Sequence, residues 1–243
     1  MEKLDISHHI SRQFNEELET IRNQVLAMGG LVEQQIANAV TALTEGDTQL
    51  AEDVISNDYK VNRHEVMIDE ECTQVLARRQ PTAGDLRLIL AVIKTITDLE
   101  RIGDEAEKVA LMGLHLARFE RPKNHYNEID NLGDHVRESL HDALDAFARM
   151  DTEAAIRISR EDEDVDHEYE GIMRQMVTFM MEDPRSIRRS LDIIWAARAL
   201  ERIGDHAKNI CEYIIFLVKG KDVRHISLEQ MEKEALENSD RYS

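Results

Sequence analysis

The sequence predicts an all-α protein made of a tandem duplication of a three-helix bundle, with six long antiparallel helices. Three observations support this prediction. The chain has only 3 Pro and 10 Gly in 243 residues, so it contains few of the turns that sheet folds need. Its apolar residues recur at helical spacing, and one motif of six residues occurs twice.

The repeated motif is LERIGD, which spans residues 99–104 and recurs at residues 200–205, 101 residues later. Pro81 and Pro184 also match, at a separation of 103 residues. A run of six identical residues in equivalent positions is hard to assign to chance. The chain is therefore interpreted as a duplication.

Apolar spacing and capping signals predict where the helices begin and end. Val54 and Val61 lie seven residues apart, as in a bundle seam, and residues 82–85 resemble a capping box with Asp in place of Glu. The predicted helices are 8–46, 47–79, 82–117, 127–150, 151–182 and 184–219. The first bundle then covers residues 1–117 and the second covers 127–219, with a linker at 118–126 and a tail at 220–243.

The charge balance excludes several classes of partner. The chain carries 30 Lys+Arg against 49 Asp+Glu, a formal net charge of −19. Such a chain repels phosphate backbones and anionic lipids, so neither nucleic acid nor direct membrane insertion is expected. The two cysteines lie far apart and the first residues lack a basic and apolar leader, which predicts a cytoplasmic protein.

Each copy of the motif contains two carboxylates four residues apart, Glu100 with Asp104 and Glu201 with Asp205. Residues at this spacing lie on one side of a helix, where like charges repel. Two interpretations remain open: ion pairs with nearby arginines on a solvated face, or ligands of a metal ion. The glycine inside each motif is interpreted as a site of close helix packing.

A further pair of acids, Asp162 and Asp166, lies on the preceding helix of the second repeat. Antiparallel packing would bring this pair next to Glu201 and form an all-oxygen cluster suited to Mg²⁺, Mn²⁺, Ca²⁺ or iron. The equivalent positions of the first repeat are Asp58 and Asn62, so a weaker site is expected there.

Two classes of enzyme are weighed as alternatives to a non-catalytic protein. Glu138 and His141 form the Glu-x-x-His string of ferritin-type di-iron enzymes, but both fall far from the apolar stripe of their helix. The sequence shows no nucleophile arrangement and no phosphate-binding glycine loop. A metal-dependent phosphohydrolase or a di-metal helical-bundle enzyme remains the alternative.

Two groups of arginines interrupt the acidic sequence near the junctions between second and third helices. They are Arg78, Arg79 and Arg87, and Arg185, Arg188 and Arg189. Arginines near a helix C-terminus can satisfy backbone carbonyls. Several of these residues lie inside the following helix, so contact with a partner or a phosphoryl anion is a second interpretation.

The two LERIGD motifs, the segment RQPTAGDLR at 79–87 and the segment AFARMD at 146–151 resemble the PhoU family of bacterial phosphate-regulon regulators. The resemblance extends from His9 to about His225. It implies two three-helix bundles, a homodimer, and negative regulation of the phosphate-starvation response and of phosphate uptake. The implied partners are a sensor histidine kinase and the ATPase of the phosphate-specific ABC transporter.

The resemblance also implies metal binding by paired acidic motifs. These motifs map onto Glu100 and Asp104, Glu201 and Asp205, Asp162 and Asp166, and onto Asp58, whose motif departs from the pattern at Asn62. The expected cofactors are divalent or iron-type ions, namely Mg, Mn, Fe or Zn. Partner contacts are expected in the matching segments, at Arg79, Asp85, Arg87 and Arg149.

Overall fold

The structure is a computed structural model that describes residues 12–79, 81–120 and 126–236. The helices are α1 (Arg12–Glu45), α2 (Thr48–Asn57), α3 (Tyr59–Arg78), α4 (Ala83–Leu116), α5 (Asn127–Arg149), α6 (Thr152–Glu182), α7 (Ile187–Lys219) and α8 (Leu228–Leu236). A 3₁₀ turn, Pro184–Ser186, precedes α7. No strand occurs in the described ranges, and the all-α prediction is confirmed. The predicted start of the first helix at residue 8, much of the predicted linker and the last residues of the tail lie outside these ranges.

The predicted second helix, 47–79, is wrong as a single element because it is broken at Asp58. The backbone N–H of Val61 donates to the Asp58 carbonyl at 2.9 Å, a three-residue step that is tighter than an α-helical turn. The equivalent helix of the second repeat, α6, passes through Asp162 without a break. The two repeats therefore differ in backbone at matching aspartates.

The two repeats pack face to face. The largest interface is between α4 and α7, and α1 packs against α5. The α4–α7 pair is antiparallel, since Arg87 bonds to the Leu217 carbonyl near one end and His115 pairs with Asp192 near the other. Helices α2 and α3 cover α1 and α4 on one side, while α6 covers α5 and α7 on the other.

One continuous hydrophobic cluster runs through both repeats. Close contact between α1 and α5 depends on small residues: a Cβ at Gly29 would overlap Leu144, and one at Gly133 would overlap Val40. Because burial of apolar surface is the main favourable term in folding, this shared core holds the repeats in one fixed arrangement. None of the described helices is both long and apolar enough to span a bilayer.

Candidate metal centre

Three carboxylates of the first repeat converge between the α2–α3 break and α4. Asp58, Asp104 and Glu107 each place one carboxylate oxygen within 4.8 Å of the others. We call these residues the repeat-one cluster. Asp104 and Glu107 lie one turn apart on α4, and Asp58 is only 7% exposed.

The glycine of each LERIGD motif gives the neighbouring aspartate room to approach the helix. A Cβ at Gly103 would lie 3.2 Å from Asp58 Oδ1, and a Cβ at Gly204 would lie 3.3 Å from Asp162 Oδ1. Both distances are shorter than ordinary van der Waals contact. The structure therefore agrees with the interpretation of these glycines as sites of close packing.

Neutral amides hold the Asp58 carboxylate. Gln35 Nε2 donates to Asp58 Oδ1 at 2.8 Å, and Asn62 Nδ2 donates to Asp58 Oδ2 at 3.1 Å. In the part of the chain that the structure describes, no basic side chain forms an ion pair with any member of the repeat-one cluster. The amides orient the carboxylate without neutralising it.

Burial and mutual repulsion raise the pKa values of Asp104, Glu107 and the neighbouring Glu100. Burial is the main cause at Asp104 and at Glu107, and the charge of Asp58 adds to both. Burial followed by the charge of Asp104 raises the pKa of Glu100. Lys108 opposes the shifts at Asp104 and Glu107 but bonds to a different acid. A set of oxygen ligands under mutual repulsion fits a cation.

The four predicted acids of the second repeat, all among the described residues, interact electrostatically, but no three of them converge within 4.8 Å as the acids of the first repeat do. We call Asp162, Asp166, Glu201 and Asp205 the repeat-two cluster. Burial is the main cause of the raised pKa values of Asp166 and Asp205, and the charge of Asp162 adds to both. Asp162 on α6 thus lies within electrostatic reach of α7, as antiparallel packing predicts.

Basic side chains of the protein neutralise part of the repeat-two cluster. Lys208 Nζ donates to Asp162 Oδ2 at 2.7 Å, and Arg198 Nη1 donates to Glu201 Oε1 at 2.5 Å. Lys208 follows Glu107 by the same 101 residues that separate the motifs. An ammonium therefore occupies the position that a carboxylate holds in the first repeat.

Glu201 keeps one oxygen without a partner despite this neutralisation. Its Oε2 is buried and accepts no hydrogen bond from the described residues. Burial first, and then the charge of Asp205, raise the pKa of Glu201 to about 7, although Arg198 opposes the shift. An unpartnered buried carboxylate oxygen also fits a cation ligand.

Sequence reasoning missed Glu107 and Lys208. Each lies three residues after the last aspartate of its motif, on the same side of the helix. That spacing is a signal that could have found both residues. The identical motif ends at its aspartate, and the two repeats differ just beyond it.

The ferritin-type string lies on the surface. Glu138 is exposed, and the side chain of His141 is 67% exposed with Nδ1 at 3.3 Å from Glu33. This placement agrees with the prediction that both residues fall far from the apolar stripe of their helix.

Two of the four predicted partner residues, Arg79 and Arg87, contact residues of other helices. Arg79 Nη2 lies 2.9 Å from Glu17 Oε1, and Arg87 Nε donates to the Leu217 carbonyl at 3.3 Å. Arg87 therefore helps to satisfy the C-terminus of α7, in the other repeat. An arginine inside α4 can thus satisfy a backbone carbonyl at the end of another helix.

The other two predicted partner residues differ in exposure. Asp85 is buried in a capping box, with Oδ2 accepting from the Thr82 backbone N–H at 3.1 Å. Arg149 pairs with Asp145 on the surface, and its side chain is 61% exposed. Arg149 is therefore the more accessible of the two to a partner.

Known proteins resemble this chain in both sequence and structure. The family model described as the PhoU domain matches twice, at residues 25–112 and 129–214. The chain is 53% identical to a phosphate-specific transport system accessory protein PhoU homolog of Pseudomonas putida, over 96% of this chain and 91% of that protein. It is 50% identical to the accessory protein PhoU of Escherichia coli K12, over 96% of each.

Solved structures show the same similarity. A crystal structure of PhoU from Pseudomonas aeruginosa has a TM-score of 0.82 and 51% identity, covering 86% of this chain and 100% of that chain. A phosphate transport system regulatory protein PhoU from Streptococcus pneumoniae has a TM-score of 0.80 and 28% identity, with 86% and 99% covered. The curated relatives are named as accessory proteins, which agrees with the prediction of a non-catalytic protein. The chain belongs to the PhoU family.

Proposed function

We propose that this chain is a non-catalytic accessory protein of phosphate transport, which represses the phosphate-starvation response and restrains phosphate uptake. The observation that carries the proposal is the similarity, over 96% of the chain, to PhoU proteins named for the phosphate-specific transport system. The chain acts in the cytoplasm as a homodimer. It links the ATPase of the phosphate-specific ABC transporter to a sensor histidine kinase.

The acidic clusters bind cations in this proposal. The repeat-one cluster binds more tightly, because its three carboxylates converge with no ion pair to a basic side chain in the described residues. In the repeat-two cluster, Lys208 already neutralises Asp162 and competes with a metal ion. This order of affinities is the reverse of the one expected from Asn62 alone, which predicted the weaker site in the first repeat. The all-oxygen ligands suit divalent or iron-type ions, namely Mg, Mn, Fe or Zn.

Gene deletion tests the regulatory role. A strain that lacks this chain, grown with ample phosphate, is expected to express phosphate-starvation genes strongly, and the intact chain supplied in trans is expected to restore repression. Unchanged expression after deletion would overturn the regulatory role.

Affinity purification tests the adaptor role. Tagged chain purified from phosphate-replete cells is expected to recover both the sensor kinase and the transporter ATPase. Recovery of neither would contradict the adaptor role, because an adaptor must contact both components.

A further inference from the structure

The first half of α7 carries an exposed stripe of apolar and basic residues, of which only Arg198 contacts an acidic cluster. Between residues 187 and 202, the exposed residues are Ile187, Arg188, Leu191, Trp195, Arg198 and Arg202. We call these six residues the Trp195 stripe. It contains three large apolar residues, three arginines and no acid, in a chain with a net charge of −19. Both its apolar character and its charge differ from the chain as a whole.

The apolar members form one line along the helix surface. Ile187, Leu191 and Trp195 follow one another at intervals of four residues and are 43%, 43% and 61% exposed. Trp195 is the only tryptophan of the chain. Tryptophan and arginine are enriched among the residues that dominate binding energy at protein interfaces. Single exposed apolar residues are common, but three in line beside arginines indicate an interaction site.

Buried acids orient two of the arginines of the stripe. Arg198 bonds to Glu201, and Arg202 Nη1 lies 3.2 Å from Glu105 Oε1 on α4. The two arginine side chains nevertheless remain 48% and 47% exposed. Because a guanidinium has five N–H donors, each arginine can hold its buried acid and still donate outward. Arg188 forms no ion pair within the described ranges.

At the matching positions of α4, two basic side chains contact α7, whereas Leu86, Leu90 and Arg101 are exposed. The matching positions lie 101 residues earlier and are Leu86, Arg87, Leu90, Lys94, Thr97 and Arg101. Arg87 bonds to the Leu217 carbonyl, and Lys94 Nζ lies 5.3 Å from the centre of the Tyr213 ring. The C-terminal part of α7 therefore contacts Arg87 and Lys94 of α4, whereas all three arginines of the Trp195 stripe remain exposed.

We propose that the Trp195 stripe binds an acidic amphipathic helix of a partner protein. Apolar residues of that helix would pack on Ile187, Leu191 and Trp195, while its carboxylates pair with the three arginines. A second copy of this chain is a poorer occupant, because a twofold contact through the stripe would place arginines opposite arginines. The identity of the partner rests on the proposed adaptor function, since this helix would belong to one of the two linked components.

Photocrosslinking in phosphate-replete cells tests the proposal. A photoreactive amino acid replaces Leu191 in the full-length chain, and the same replacement at Val66, 55% exposed on α3, is the control. Position 191, but not position 66, is expected to crosslink to a partner segment with net negative charge and apolar residues at helical spacing. Crosslinks to a second copy of this chain, to a basic segment or equally from both positions would overturn the proposal, as would no crosslink at all.

A binding measurement follows with a synthetic peptide of the crosslinked segment. Emission from Trp195 is expected to shift to shorter wavelength as the peptide buries the indole ring. Arg188→Glu is expected to weaken binding at least about tenfold, because it places a carboxylate against an acidic helix. The control Arg174→Glu, on an exposed part of α6, is expected to leave binding unchanged. Equal affinities for both variants would overturn the proposal.

The two proposals fail in different ways. If deletion of the chain leaves phosphate-starvation genes repressed while Leu191 crosslinks as expected, the regulatory function fails and the stripe stands. The opposite outcome has two parts: deletion derepresses these genes, and the Trp195→Ala variant supplied in trans restores repression fully. If position 191 also gives no crosslink, the proposal for the stripe fails and the regulatory function stands.

Discussion

The two acidic clusters arise from identical motifs but differ in how their charge is neutralised. In the first repeat, Glu107 adds a third carboxylate, within 4.8 Å of Asp58 and Asp104. In the second repeat, Lys208 stands at the equivalent position and donates to Asp162 at 2.7 Å. A duplicated motif thus places the carboxylates, and a residue one turn beyond it decides whether the protein itself supplies a counter-charge.

The exchange of glutamate for lysine changes the local charge by two units. Although burial lowers the pKa of Lys208, its hydrogen bond and attraction to Asp162 raise that pKa overall, so the side chain stays protonated at neutral pH. Unit charges about 4 Å apart near a protein surface interact by roughly 4 kcal/mol before desolvation is counted. A cation that binds the repeat-two cluster must therefore overcome or displace this ammonium.

The largest effect is expected when two ligands of the repeat-one cluster are removed. Asp58→Asn combined with Asp104→Asn should weaken Mn²⁺ binding at least about 100-fold, or roughly 2.7 kcal/mol, because two of three charged oxygen ligands are lost. Calorimetric titration of chelator-stripped protein measures the change. Glu52→Gln with Glu70→Gln removes two exposed charges of the same repeat and serves as control. Equal affinities for the two double variants would disprove the site.

A smaller effect is expected on the pH dependence of stability in the second repeat. The pKa of Glu201 is about 7 in the folded chain against 4.5 ordinarily, so ionisation disfavours the folded state. The stability that the protonated Glu201 side chain contributes is fully present below pH 4.5 and is lost as the pH rises through about 7.

Urea unfolding with chelator present measures this pH dependence. From pH 5 to pH 8 the wild type should lose unfolding free energy, and the Glu201→Gln variant should lose about 1–3 kcal/mol less. The exposed substitution Glu70→Gln should leave the loss unchanged. If the unfolding free energies of the wild type and Glu201→Gln change with pH in parallel, Glu201 is not the source of the pH dependence.

A change at Asn62 should make the motifs of the two repeats more alike. Asn62→Asp removes the amide that donates to Asp58 at 3.1 Å and adds a carboxylate beside the cluster. The metal-free protein should lose about 1 kcal/mol of unfolding free energy, because a donor to a buried carboxylate is lost. Added Mn²⁺ should then stabilise this variant more than the wild type in thermal unfolding. An equal gain in both proteins would place Asn62 outside the cation site.

The smallest effect is expected at Arg149, outside both clusters. It pairs with Asp145 four residues away on the surface, and such pairs contribute about 0.5 kcal/mol or less. Arg149→Ala should therefore leave thermal unfolding nearly unchanged. If this variant recovers less kinase or ATPase from cells, Arg149 contacts a partner. A large loss of stability would instead show that it holds the fold together.

Local sequence patterns predicted the helices, the repeat and the packing within the second repeat, but not how the two repeats pack against each other. Heptad spacing predicts helices on either side of Asp58, but the break there has no local signal, since the matching Asp162 lies in an unbroken helix. The contact of Arg87 with Leu217 joins residues 130 positions apart and depends on how α4 and α7 pack. Lys208 was missed because identity between the repeats ends at the preceding motif.

The reciprocal exchange of Glu107 and Lys208 tests most directly whether this one position sets cation affinity. Titration of chelator-stripped protein with Mn²⁺ should show one tight site in the wild type. Lys208→Glu should add a second tight site, and Glu107→Lys should weaken the first at least about tenfold, or roughly 1.4 kcal/mol. Unchanged stoichiometry in Lys208→Glu together with unchanged affinity in Glu107→Lys would contradict the account.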